Sequence, residues 1–200
     1  MCCKTRVRSE NGDENERWLG GAAVLETDLP AAFRAEMSEF LGSEVTTLGE
    51  WVAALREANG GAIDAEMLCH ADEATPHRAE LAGERYHFQC FYDAVALARL
   101  RSGAVDIRTE SPDGDVIEAH SDGHVIDPTP ETAVVSFGIE RGAATAGAAP
   151  TVAETYGAIC PYVKAFPDRG AYASWADDVD AETVAMPLAE GIPVAGRLVD

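Results

Sequence analysis

The chain has 200 residues, 46% of them hydrophobic, which is enough for one domain with a sizeable core. Thirty-five acidic and fifteen basic residues give a formal charge of −20 and a pI near 4.4. Such a negative surface opposes binding to nucleic acid, whose phosphates need a basic patch, and to an anionic membrane. An acidic coat with only two lysines, Lys4 and Lys164, is typical of halophilic proteins, in which salt screens self-repulsion.

The five cysteines are spread along the chain at positions 2, 3, 69, 90 and 160. Their odd number and wide spacing argue against a disulfide framework, and the absence of Cys-x-x-Cys argues against structural zinc. The basic start is not followed by an apolar run, so we expect no signal peptide. No segment approaches the ~20 apolar residues of a membrane span. A cytoplasmic protein with free thiols is therefore predicted.

The N-terminal part is predicted to be helical. Residues 1–20 form a polar, acidic tail that we expect to be disordered, and residues 21–82 form a helical subdomain. Pro30 suits the first turn of one helix. Thr47-Leu48-Gly49-Glu50 has the capping-box pattern and opens a second. A third, short helix is predicted within 63–69.

The remaining residues, 83–200, are predicted to form the catalytic α+β core. A helix starts at about Cys90, and alternating apolar residues with turn signals predict an antiparallel meander over 103–140. Residues 159–166 are predicted to be a strand carrying Cys160. The final element, 181–188, is a helix or a strand. The predicted fold is thus α+β, with N-terminal helices followed by antiparallel strands flanked by helices.

Three side chains are the candidates for chemistry. In Cys90-Phe91-Tyr92-Asp93 a thiol and a carboxyl group lie three residues apart, which places them on one helical face. Cys160 could close on the same ligand from a distant strand. Two thiols beside a proton carrier suit a soft metal better than hydrolysis. Taken alone, each cysteine is more typical of a small buried hydrophobe, and Asp93 of a capping or solvated residue.

These motifs resemble the organomercurial (alkylmercury) lyase family over roughly residues 47–195. The resemblance is carried by Cys90-Phe91-Tyr92-Asp93 at a helix start, by the meander, by Cys160-Pro161-Tyr162-Val163-Lys164-Ala165-Phe166, and by Trp175. The chain departs from the family where Pro161 replaces a second adjacent cysteine. It also lacks any cysteine between positions 90 and 160.

The resemblance implies a function and a ligand set. Cys90 and Cys160 would hold mercury while Asp93 carries the proton, and the products would be a hydrocarbon and protein-bound Hg(II). Organomercury compounds are the implied substrates, and no further cofactor is implied. A mercuric reductase or cellular thiols would accept the Hg(II). Phe88, Phe91, Tyr92, Tyr162 and Phe166 are expected to line a pocket for the organic group.

Two other hypotheses are retained. One is a non-catalytic thiol protein of the same fold that binds or senses Hg(II) or Cu(I). The other is a regulator with a winged-helix-like N-terminal module, which the acidic charge disfavours. Cys69 is interpreted as a core residue, although Cys69-His70 could touch a metal. Cys2-Cys3 is interpreted as incidental, with a metal-capturing arm as the alternative.

Overall fold

The computed structural model describes residues 17–21, 23–58, 60–101, 103–147 and 149–200. Most of the predicted tail, including Cys2 and Cys3, lies outside these residues. Among the described helices, none combines the length and the hydrophobicity that a bilayer crossing requires.

Two helices come first along the chain. They are α1 (Ala31–Leu41) and α2 (Leu48–Ala58). Gly42 ends α1 in the left-handed conformation, with φ of 67°, which glycine adopts without strain. The predicted capping box opens α2, since the Glu50 N–H donates to Thr47 Oγ1 at 3.2 Å and the Glu50 carboxylate accepts from the Thr47 N–H at 3.2 Å. The third predicted helix is a single 3₁₀ turn, Ala65–Met67.

A five-stranded antiparallel sheet follows, in the strand order β2-β1-β3-β4-β5. Its strands are β1 (His77–Leu81), β2 (Glu84–Phe88), β3 (Val105–Glu110), β4 (Val116–Ser121) and β5 (Ile126–Thr129). Helix α3 (Phe91–Leu100) connects β2 to β3. The strands β3, β4 and β5 pair in sequence, which confirms the predicted meander.

A second, three-stranded antiparallel sheet has the order β7-β6-β8. Its strands are β6 (Val134–Glu140), β7 (Ala165–Phe166) and β8 (Ala181–Pro187). The predicted meander region includes β6, but β6 pairs with β7 and β8 in this second sheet. The meander therefore consists of β3, β4 and β5. The remaining helices are α4 (Val152–Ile159), α5 (Arg169–Asp178) and α6 (Ile192–Val199).

The main core lies between the helices and the two sheets. Helices α2 and α3 both pack on α6. The Trp51 ring meets Phe33 and Phe137 edge-on at centroid distances of 5.7 and 5.4 Å, which joins α1, α2 and β6. A smaller cluster holds Phe166 and Tyr172, with Trp175 packed against it. The helices preceding antiparallel sheets confirm the predicted α+β class.

The predicted boundary between 82 and 83 crosses a sheet. Strand β1 lies ahead of it, yet β1 pairs with β2 on one side and β3 on the other. The main hydrophobic core also takes residues from both sides of the boundary. The division into a helical subdomain and a catalytic core stays a prediction.

Candidate active site

Cys90 lies where β2 passes into α3. It occupies the N-terminal cap position of α3 in an extended conformation, and its side chain is 6% exposed. Phe88 and Phe91, on either side of it, are fully buried and hold this junction in the core. Asp93 falls in the first turn of α3, where its N–H donates to the Cys90 carbonyl oxygen at 3.4 Å. The Cys-x-x-Asp motif therefore starts a helix, as predicted.

Cys160 is not on a strand, contrary to the prediction for 159–166. Helix α4 ends at Ile159, and Cys160 opens a 3₁₀ turn that runs to Tyr162. Thr151 and Glu154 form a capping box that starts α4, so the apolar residues before Cys160 belong to a helical face. Pro161 favours the turn, because proline lacks an N–H for strand pairing and suits the first positions of a helix.

Strand β6 holds the Cys160 turn close. The Ser136 hydroxyl donates to the Tyr162 carbonyl oxygen at 2.8 Å, and the Lys164 N–H donates to Ser136 Oγ at 3.2 Å. At Gly138 a Cβ atom would lie 2.6 Å from Tyr162 Cβ and 2.9 Å from Thr183 Cγ2. Glycine at this position is therefore required for the turn to approach the strand.

The two predicted thiols meet. Cys90 and Cys160 share a side-chain hydrogen bond across seventy positions of sequence. This hydrogen bond, together with burial and the negative charge of Asp93, raises the pKa of the Cys90 thiol well above its ordinary value. The position at the helix N-terminus, which would lower the pKa of a thiol, does not outweigh these effects. Cys90 is therefore a neutral thiol at rest. Ionising it requires a base.

Asp93 is the carboxyl group beside this pair. Burial raises the pKa of Asp93 to about 6. Hydrogen bonds from Cys69 and the electrostatic effect of the nearby His70 act in the opposite direction. One of those hydrogen bonds runs from the Cys69 backbone N–H to Asp93 Oδ2 at 3.1 Å. A carboxyl group with this pKa is largely ionised at neutral pH and still readily protonated, which suits a group that both takes and gives a proton.

Cys69 was expected in the core, but its thiol also contacts Asp93. Burial and the Asp93 charge raise the pKa of Cys69 to about 12, whereas a hydrogen bond with Tyr156 acts in the opposite direction. The backbone explains this position, because the Gln89 N–H donates to the Cys69 carbonyl oxygen at 2.8 Å. The segment that carries Cys69 thus lies beside Gln89, the residue that precedes Cys90. No local sequence signal marks so short a pairing.

An apolar cavity of about 100 Å³ opens beside the two thiols. Cys90, Cys160 and Asp93 are among its lining residues. The rest of the wall is almost wholly apolar and comes from α2, α4, α6, β6 and the segment 63–68, with Trp51, Val52, Leu55, Phe137, Ile159, Val194 and Leu198 among the side chains. Of the five aromatic residues predicted to line a pocket, Tyr92 does so. Phe166 packs in the smaller cluster instead.

A second, more open hollow of about 320 Å³ lies on the outer side of the sulfur pair. Its lining includes all three described cysteines, with Gln89, Tyr156, Pro161 and Lys164. Cys90, Cys160 and Tyr156 border both cavities. The sulfur pair thus lies between the apolar cavity and a more open hollow that Lys164 and Gln89 help to line.

The site is not a ready-made metal centre. In the described part of the chain, no three His, Cys, Asp or Glu side chains are arranged to hold a metal ion together. His70 Nε2 lies 2.8 Å from the Ala65 carbonyl oxygen, so this ring nitrogen is engaged with the backbone. His120 lies on β4 and His124 in the turn between β4 and β5, and neither lines the two cavities beside the thiols.

One family model matches the chain, and it describes the family that the sequence motifs resemble. A solved structure of the mercury-bound form of MerB2 shares 17% identity with this chain at a TM-score of 0.46; the match covers 70% of this chain and 62% of that one. No curated protein matches. The family model for alkylmercury lyase, MerB, matches residues 71–200, well over half of the chain and the part that carries Cys90, Asp93 and Cys160. The chain belongs to the alkylmercury lyase family.

Proposed function

We propose that this protein cleaves the carbon–mercury bond of organomercury compounds by protonolysis, with Cys90, Cys160 and Asp93 as the catalytic residues. The observation that carries the proposal is the hydrogen-bonded Cys90–Cys160 pair beside Asp93. Mercury is a soft metal that prefers thiolate, and the pair offers two such ligands at one point. Organomercury is the substrate, and no organic cofactor or resident metal is needed.

Asp93 starts the reaction as a base. The Cys90 thiol is neutral, so its proton must leave before its sulfur binds mercury. The ionised Asp93 carboxylate takes this proton, and a Hg–S bond forms. The bond between mercury and its accompanying anion, such as chloride, then breaks. The anion leaves together with the Cys160 proton, and a second Hg–S bond forms.

Asp93 then acts as an acid. Two thiolates raise the electron density on mercury, and the carbon bound to it gains carbanion character. The protonated carboxyl group delivers its proton to that carbon, the carbon–mercury bond breaks, and the hydrocarbon leaves. Mercury remains Hg(II) throughout, held by Cys90 and Cys160, and Asp93 is again ionised. General acid–base catalysis of this kind contributes roughly 10²- to 10⁴-fold.

The apolar cavity supports the same function. Its volume of about 100 Å³ is somewhat below the ~150 Å³ of an engineered apolar cavity in another protein that binds benzene. Small alkyl groups, with a single aromatic ring as the upper limit, are therefore the organic groups that we propose for the substrate. An apolar wall also excludes water from the carbon that receives the proton.

The test is incubation with phenylmercury and excess small thiol at high salt, with benzene measured by gas chromatography. The expected result is benzene well above the no-protein control, and a loss of at least 100-fold in Asp93→Ala, which should still bind HgCl₂. The variant Asp113→Ala, at an exposed turn residue, is the matched control. No benzene above the control would reject the lyase and leave a thiol-based Hg(II) or Cu(I) binder.

A further inference from the structure

We infer that Cys69 is a third mercury-binding thiol, which receives the product Hg(II) from Cys90 and presents it to acceptors at the outer hollow. The inference rests on the proposed function for the origin of the Hg(II). It assigns a role to a cysteine that lies outside the match to the family model, which begins at residue 71.

The first argument is position. Cys69, Cys90 and Cys160 line the same outer hollow, and the Cys69 and Cys90 thiols are close enough for the ionisation of one to affect the other. Cys90 is buried, with 6% of its side chain exposed, whereas Cys69 and Cys160 are half-buried. A thiol acceptor from solvent therefore reaches Cys69 more readily than Cys90.

The second argument is the hydrogen bonding of Cys69. Its thiol donates to the Asp93 carboxylate, and the Tyr156 hydroxyl contacts the same sulfur. Asp93 can thus take the Cys69 proton while the Tyr156 O–H stabilises the sulfur anion. Loss of the proton gives the thiolate, which is the form of cysteine that binds a metal.

The exchange balances in atoms and charge. At the start, mercury is bound to Cys90 and Cys160, Cys69 is a thiol and Asp93 is ionised. A Hg–S bond to Cys69 forms as the Hg–S bond to Cys90 breaks, and the Cys69 proton passes through Asp93 to the Cys90 sulfur. Mercury stays Hg(II), now held by Cys69 and Cys160. Two sulfurs hold the ion at each stage, in keeping with the absence of a three-ligand centre among the described residues.

The first arm of the test asks whether Cys69 can replace Cys90. It uses the full chain with Cys2→Ser and Cys3→Ser, so that only three thiols remain, and HgCl₂ as the probe. In this background Cys90→Ser should still bind one Hg(II) with the ultraviolet charge-transfer band of two sulfur ligands. Adding Cys69→Ser should weaken binding at least 100-fold in competition with a small thiol. Equal binding by the two variants would overturn the inference.

The second arm measures release. The protein loaded with one equivalent of HgCl₂ is mixed with excess 2-mercaptoethanol in a stopped-flow instrument. Transfer should be at least tenfold slower in Cys69→Ser and in Cys69→Ala than in the parent, with folding checked by circular dichroism. An unchanged rate would overturn the inference. Neither arm uses an organomercury compound, so failure here is distinguishable from failure to release benzene.

Discussion

The backbone N–H of Cys69 donates a 3.1 Å hydrogen bond to Oδ2 of Asp93, a residue twenty-four positions further along the chain. The bond joins the segment alongside β2 to the first turn of α3. It fixes one carboxylate oxygen, and the thiol of Cys69 contacts the same carboxyl group. The Asp93 carboxyl group is therefore oriented by a residue that sequence patterns had assigned to the core.

The activity should depend on the ionisation of Asp93. Burial raises the pKa of Asp93 to about 6, and below this pH the protonated carboxyl group cannot accept the Cys90 proton. We expect kcat/KM for phenylmercury to rise about tenfold per pH unit below pH 6 and to level off above it. Initial rates between pH 4.5 and 8 check this. A profile without an inflection near 6 would contradict the assigned base.

The stability should depend on the same group, with a definite sign. Because the pKa of Asp93 in the folded protein, about 6, lies above its ordinary 3.8, the folded state binds more protons between these values. Raising the pH through this window therefore removes stability, by about 3 kcal/mol at most. Asp93→Asn has no carboxyl group at this position, so it does not lose this stability as the pH rises. The free energy of unfolding of Asp93→Asn minus that of the wild type should therefore increase from pH 4 to pH 7.

Urea unfolding at several pH values measures this difference, with Asp113→Asn as the exposed control. The comparison between variants removes the pH dependence that the acidic surface as a whole contributes. A difference that stays constant with pH would show that Asp93 does not titrate with a raised pKa.

Gly138 should be intolerant of a methyl group. A Cβ atom there would meet Tyr162 Cβ at 2.6 Å, so Gly138→Ala must displace β6 or the Cys160 turn. We expect a loss of roughly 1–3 kcal/mol in the free energy of unfolding, with reduced benzene release. Gly157 in α4 has no atom within 4 Å of such a Cβ, so Gly157→Ala is the matched control. It should be stabilised by about 0.5–1 kcal/mol. Equal changes in the free energy of unfolding for the two variants would refute the close approach of Tyr162 to Gly138.

The apolar cavity should select among organic groups. Leu198 on α6 lines it and is half-buried, so Leu198→Phe would fill part of its volume of about 100 Å³. We expect kcat/KM for phenylmercury to fall roughly tenfold more than that for methylmercury. Leu100→Phe, at a half-buried leucine outside the cavity lining, should not discriminate. The same loss with both substrates would place the organic group elsewhere.

Much of the site was predictable from sequence, because its main signal is local. Cys90 and Asp93 lie three residues apart at a helix start, so helical spacing alone places the two side chains on one face. The capping box at Thr47 and Glu50 likewise marked α2. The α+β class followed from helical spacing in the first third of the chain and alternation in the middle.

The errors come from non-local or ambiguous signals. The apolar residues around Ile159 suit a strand as well as a buried helical face, and only packing against β6 decides between them. Strands β1 and β2 carry several charged residues, so their alternation is weak. Cys69 joins the site because its backbone pairs with Gln89. The side chains around Cys69 show no pattern that predicts this pairing.

The position of β1 between β2 and β3 limits how far the chain can be shortened. In the order β2-β1-β3-β4-β5, β1 is the only neighbour of β2 within the described sheet. A protein that began at residue 83 would leave β2 with unpaired backbone groups, and the approach to Cys90 would lose its support. A shortened protein that keeps this support must therefore include β1, and one that also keeps the hydrogen bond from Cys69 to Asp93 must start before residue 69.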